Sequence, residues 1–152
     1  MINTQIITDP EVIYKILTED ERLLRAISPS LTPDPRQYSQ QGCHVLFTDG
    51  IGTEYGFACL QEFTDQALIM HMNLKSQYWG KGKANECQTA LEEFARTTCK
   101  IFQLIAFVPA ESAKIVTQTA VKNYGFKQVG LIPNGTLYHD KLQDIDIISK
   151  VL

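Results

Sequence analysis

The sequence predicts a mixed α/β domain, a mostly antiparallel central sheet of six to seven strands with helices on both faces. Three observations predict it. Short apolar runs of strand character alternate with amphipathic stretches of helical period along the chain. The run Ile101–Val108 is apolar almost throughout, as expected of a strand covered on both faces. The runs flanking Asp49-Gly50-Ile51-Gly52 are joined by hairpin residues. With 152 residues there is room for one domain, 1–152, and little for a second.

Gln5–Thr8 is the expected first strand. Asp9-Pro10-Glu11 then opens a helix, with a capping carboxylate, a proline in the first turn and an acid near the positive end of the dipole. Val12, Ile13, Ile16 and Leu17 form its buried stripe. Thr18-Glu19-Asp20-Glu21 reads as a capping box for a second helix carrying Leu23, Leu24 and Ile27. Ser28–Gly42 holds Pro29, Pro33 and Pro35 and is expected to be a loop. His44–Thr48 and Tyr55–Gln61 form the hairpin, and Leu68–Leu74 is the fourth strand. From Lys83 to Thr98 the positions Ala84, Cys87, Leu91, Phe94, Ala95 and Thr98 share one helical face. Pro109 ends the buried strand, and a helix from Ser112 to Asn123 turns Ala113, Val116 and Ala120 inward. Gly125-Phe126 stops that helix. Phe126–Ile132 and Asp144–Val151 close the chain as strands joined through Pro133–Gln143.

The formal net charge is −3, with no block of lysines or arginines, which argues against nucleic acid as the main partner. No apolar run reaches membrane-spanning length, and Met1–Gln5 shows no secretory signal, so a cytoplasmic protein is expected. The four cysteines, Cys43, Cys59, Cys87 and Cys99, are spread singly and read as small buried hydrophobes in a reducing compartment. No metal site is expected from their spacing.

Chemistry concentrates where Ala67–Leu74 runs into Gln77-Tyr78-Trp79-Gly80-Lys81-Gly82. A strand that breaks into a two-glycine turn and then opens a helix can seat an anion. Glycines remove Cβ atoms where backbone must approach, and the helix N-terminus offers unpaired N–H groups. The spacing is neither that of the dinucleotide fingerprint nor that of the P-loop. Glycine at a helix entry also serves simply for turning.

The spacing Gln77-x-x-Gly80-x-Gly82, the Gly125-Phe126 pair closing the last long helix and the element order from Gln5 to Val151 together resemble the Gcn5-related N-acetyltransferase (GNAT) superfamily. Ile6-Ile7-Thr8-Asp9-Pro10-Glu11, the His71 strand and His139-Asp140 also resemble a phage-encoded subgroup with head-assembly or virion-associated members. The resemblance implies acetyl-CoA as co-substrate, its diphosphate on the amides from Trp79 to Ala84 and its pantetheine arm along Met72, Asn73 and Leu74. Lys81 and Lys83 add charge there or are solvated lysines of a helix entry. Trp79 packs beneath the turn or stacks on the ligand.

The implied reaction is transfer of an acetyl group to an amine acceptor of unknown identity, which needs a base, oxyanion donors and an acid for the leaving thiolate. His71 is the candidate base, titrating near neutrality, or else a core histidine. Glu62 and Glu54 are alternatives, or strand-end carboxylates. Family members commonly place a tyrosine acid four residues before the glycine of the Gly-Phe pair. Here that position is Val121, and Tyr124 stands three residues later. The alternative is therefore a GNAT-fold virion or head-assembly component that has lost the reaction. His139, Asp140 and the Ser28–Gly42 loop are expected at the acceptor side, and the C-terminal strand could pair across a homodimer.

Overall fold

The computed structural model describes residues 1–40 and 42–152; Gln41, inside the expected Ser28–Gly42 loop, lies outside the described residues. The strands are β1 (Asn3–Ile7), β2 (Cys43–Thr48), β3 (Glu54–Thr64), β4 (Ala67–Leu74), β5 (Gln103–Pro109), β6 (Lys127–Tyr138) and β7 (Lys141–Val151). The helices are α1 (Pro10–Glu19), α2 (Glu21–Ile27), α3 (Pro35–Ser39), α4 (Lys83–Thr97) and α5 (Ala110–Tyr124). The strands make one seven-stranded sheet in the order β1-β2-β3-β4-β5-β7-β6. Only β4 and β5 run parallel.

Helix starts follow the capping residues. Asp9 accepts a hydrogen bond from the Glu11 N–H at 2.9 Å, with Pro10 in the first turn of α1. The cap of α2 is Asp20, which accepts from the Leu23 N–H at 3.0 Å. Thr18 does not cap: its hydroxyl donates back to the Tyr14 and Lys15 carbonyls inside α1. The expected proline loop contains the short α3, because Asp34 caps it and Pro35 occupies the first turn, where no N–H is required.

Two faces of the sheet are packed separately. On one, Val45, Phe47, Ala58, Leu60, Met70, Leu104 and Ile148 meet Leu91 and Phe94 of α4 and Ala120 of α5. On the other, Leu46 and Phe57 lie under Ile13, Ile16, Leu17, Leu23 and Leu24 of α1 and α2. α5 turns Ala113, Thr117, Ala120 and Tyr124 inward, a spacing of four, three and four, and leaves the expected Val116 46% exposed. The Thr117 hydroxyl is satisfied by Asp146 at 3.2 Å, so a polar residue fits where Val116 was expected.

The closing hairpin is longer than expected. β6 and β7 stay paired to Tyr138 and Lys141, around a two-residue turn in which His139 and Asp140 have φ of 48° and 60°. Pro133 is accommodated because β6 is an edge strand whose register breaks between Ile132 and Thr136. Among the cysteines only Cys87 is buried, where desolvation pushes its thiol up to about 12; Cys43 is exposed, against the expectation that all four are core hydrophobes. Among the described residues no helix is long and apolar enough to cross a membrane.

His44 is buried on β2, edge-on to Phe57 at 5.7 Å, and its Nε2 has no hydrogen-bond partner. Burial pushes its pKa below the ordinary value, a backbone bond at Tyr38 opposing this in part. The unfolded chain therefore binds this proton more tightly. Stability is full above the unfolded value near 6.5 and is lost as pH falls below it. The urea midpoint is expected to drop between pH 7 and pH 5, and to drop less in His44→Leu; equal drops in both proteins would show that His44 carries no part of it.

Candidate functional site

The β4–β5 ladder has only three residue pairs, Ala67↔Gln103, Leu68↔Leu104 and Ile69↔Ile105. Beyond them each strand keeps its outer partner: β4 stays on β3 up to Leu74, and β5 stays on β7 up to Pro109. The two strands diverge, and a wedge opens toward their C-terminal ends. The Gln66 carbonyl accepts from the Phe102 and Gln103 amides, so residue 66 faces β5. Strand alternation places the main-chain groups of Met70 and Met72 on that same edge, past the end of the ladder. The next carbonyl in the series, Leu74, accepts from the Trp79 indole Nε1 at 2.8 Å. The open edge of β4 thus offers peptide groups at Met70 and Met72, with Leu74 sealed by tryptophan. Asn73 faces the other way along the backbone, and its side chain makes only a 3.4 Å bond to the His71 carbonyl.

The wedge opens onto the glycine turn. A single 3-10 turn, Ser76–Tyr78, leads into Gly80 and Gly82, whose φ values of 71° and 77° favour glycine. A Cβ at either glycine would meet nothing within 4 Å, so the concave side of the turn is free space. Gly82 is the residue before α4 and provides no side-chain cap. Among the described residues the amides of Gly80, Gly82, Lys83 and Ala84 have no acceptor. Four unpaired donors at the positive end of a fifteen-residue helix make an anion seat. Lys81 is exposed and forms no ion pair among the described residues, whereas Lys83 is held by Glu86 at 2.8 Å and lies over the Tyr55 ring. Gln77 is exposed at the mouth of the turn.

Two side chains hold this turn in place. Asp20 caps α2 with one carboxylate oxygen and accepts from the Ser76 N–H with the other at 2.5 Å. Burial alone would raise its pKa, but the bonds from Ser76 and Leu23 outweigh it and hold the carboxyl below its usual range. Trp79 is 39% exposed, and its indole N–H ties the turn to β4. The Arg22 guanidinium lies 5.1 Å from the centre of its ring.

The candidate acid–base residues are dispersed. His71 projects opposite to Met70 and Met72, hence away from α4 and α5. Its ring reaches solvent, yet the protein surrounding it disfavours the charged form and holds its pKa below the ordinary value. The ring has no hydrogen-bond partner among the described residues. Glu62 lies across from Leu68, three residues back along β4 and on the other sheet face, so it does not meet His71. Glu54 is engaged by Lys75 at 2.8 Å. Tyr124 packs half-buried on the α4–α5 side, where desolvation raises its pKa; no contact joins it to His71. Val121 is 43% exposed.

A second polar group borders the wedge. Tyr138 Oη donates to the Ala26 carbonyl at 2.6 Å, and the His139 N–H donates to the Pro29 carbonyl at 2.7 Å. His139 Nδ1 faces Glu111 at 3.2 Å, and Gln143 bonds both the Glu111 carboxylate and its N–H. The β6–β7 tip is thereby tied to α2 and to the start of α5. None of these bonds was readable from the sequence, since their partners lie 28 to 112 positions apart.

A protein assigned as a phosphinothricin N-acetyltransferase superposes with a TM-score of 0.76 at 15% identity, covering 100% of this chain and 99% of its own. The chain has the GNAT fold. A variant of the spermidine N-acetyltransferase SpeG from Vibrio cholerae gives 0.75 at 13% identity over 99% of this chain and 93% of its own. A GNAT-family acetyltransferase from Bacillus anthracis gives 0.71 at 14% identity over 98% and 95%. No protein-family model and no curated protein matches the sequence.

Asp9 and Asp20 cap neighbouring helices, but only Asp20 also holds a distant amide. Asp9→Ala is expected to lose about 1 kcal/mol of stability, the usual value of a helix cap. Asp20→Ala is expected to lose roughly 2–3 kcal/mol, because a charged acceptor for Ser76 disappears as well. Equal losses in urea unfolding would mean that the Ser76 bond contributes nothing.

Proposed function

We propose that the chain is an acyl-CoA-dependent N-acetyltransferase that moves an acetyl group from acetyl-CoA to an amine by direct transfer. The observation that carries this reading is the placement of the unpaired amides of Gly80, Gly82, Lys83 and Ala84 at the open end of an unpaired strand edge. The turn suits a diphosphate, and the free peptide groups of Met70 and Met72 suit the amides of a pantetheine arm. Acetyl-CoA supplies the activated acyl group. The chain's own part is to bind, to orient and to manage one proton. Neutral at pH 7 and open to solvent, His71 is suited to take that proton from an acceptor ammonium. Glu62 and Tyr124, on the opposite sheet face, have no step in this scheme. A free thiol's pKa of about 8.5 lets the leaving thiolate depart near neutrality without a tyrosine acid.

The acceptor is an amine, and spermidine and phosphinothricin, named for the proteins that share the fold, begin the screen. The expected setting is the cytoplasm, of a host cell if the chain is phage-encoded. A second reading, a GNAT-fold phage head component that binds acyl-CoA without turnover, draws on exposed Val121 and on the distance in the fold between Tyr124 and His71. It expects no thiol release with any amine and association with particle proteins.

Calorimetric titration of acetyl-CoA is expected to show micromolar binding that Gly80→Glu abolishes, since that substitution puts a carboxylate into the anion seat. No heat with the wild type would remove the acyl-CoA reading altogether. With an acceptor identified, kcat/KM should fall on the acid side as His71 protonates, at a pH below the ordinary histidine value. His71→Gln should lower kcat about 100-fold or more and remove that acid limb. An unchanged pH profile in the variant would assign the base elsewhere.

A further inference from the structure

Arg22 lies outside the wedge and outside the glycine turn, yet it is directed at the turn. It occupies the first turn of α2, and the Asp20 carboxylate joins that helix start to Ser76 at 2.5 Å. Its guanidinium sits 5.1 Å from the centre of the Trp79 ring, and Trp79 immediately precedes Gly80. The ring is itself held, because its Nε1 donates to Leu74. Between α2 and the turn lies a cavity of about 410 Å³, bordered by Arg22, Lys75, Ser76 and Gln77 and by three carboxylates, Glu19 facing Lys15, Glu21 bonded to Arg25, and Asp20 bonded to the Leu23 and Ser76 amides. The neighbouring cations are occupied: Lys75 by Glu54, Arg25 by Glu21 and Lys15 by Glu19. Arg22 forms no ion pair among the described residues.

Stacking uses the face of a guanidinium and leaves the N–H groups along its edge free. Those edge donors are matched in plane to the oxygens of a phosphate. A cation parked on a fixed aromatic platform beside four unpaired amides is pre-organised for an anion, with little side-chain ordering left to do on binding. From this arrangement we infer that Arg22 is a cofactor-binding residue, delivered from α2, that closes on the diphosphate of the acyl-CoA from the Trp79 side of the turn. The inference rests on the acyl-CoA reading and adds a full positive charge on the Trp79 side of the turn. It assigns Arg22 to the diphosphate and not to the 3′-phosphate, because Trp79 adjoins the turn whose amides form the seat. It also makes the α1–α2 corner part of the cofactor site.

The experiment is titration of CoA and of 3′-dephospho-CoA into wild type, Arg22→Ala and Arg22→Lys, with the unfolding temperature recorded for each. Arg22 is exposed, so both variants are expected to keep the wild-type unfolding temperature without ligand. Arg22→Ala is expected to weaken both ligands by the same factor, about tenfold, as suits the loss of a charge-assisted bond. Arg22→Lys should recover only part of it, since an ammonium is a point charge without the planar fork. Equal affinity of wild type and Arg22→Ala for CoA would overturn the inference and leave the acyl-CoA reading standing. A loss confined to CoA would overturn the assignment to the diphosphate. Absence of binding by the wild type would overturn the acyl-CoA reading and this inference with it.

Discussion

The split between β4 and β5 is the constraint on which the rest of the molecule depends. A parallel pair that ends after three residue pairs is unusual, because it leaves peptide groups of a central strand unpaired. It persists because each strand is committed to its other neighbour. β5 follows β7 through seven residue pairs to Pro109↔Ile145, and β4 follows β3 to Leu74. The backbone contact at Gly56 enforces the second commitment, since a Cβ there would lie 2.1 Å from the Asn73 carbonyl oxygen. Right-handed twist carries the two half-sheets apart once they stop bonding to one another. The wedge is thus a consequence of pairing elsewhere, and a ligand with its own amides can complete the pairing.

The mouth of the wedge is bounded by parts that are distant in sequence and bonded in space. Asp20 joins the α1–α2 corner to the start of the glycine turn, and Trp79 joins the turn to the last residue of β4. On the other side, Tyr138 and His139 tie the β6–β7 tip to α2, while Glu111 and Gln143 tie it to α5. The glycine turn and the β6–β7 tip therefore share α2 as a common wall. A movement of that seven-residue helix would be felt at both.

Much of this was legible beforehand. The strand and helix order, the β2–β3 hairpin and the stripe of α4 follow from periodicity and turn residues, which are local properties. The glycine turn was legible for the same reason, because positive φ and an open helix N-terminus have a sequence signature. The misreadings were also local. Thr18 satisfied its hydroxyl inside α1, and Asp34-Pro35 started a turn of helix within a segment that its prolines marked as loop. The β6–β7 ladder ran through Pro133 because an edge strand tolerates a missing donor.

The sequence by itself determined the order of the strands and long helices and the glycine turn at the entry to α4. Tertiary structure alone decided which candidates share a space. His71 faces one side of the sheet while Glu62 and Tyr124 face the other, a division set by alternation within strands and by which face each helix covers. It also decided that Arg22 stands over Trp79, 57 positions away in the chain. Periodicity reports the face of an element that is buried. Only the packing of that face against its partner fixes what meets across the gap.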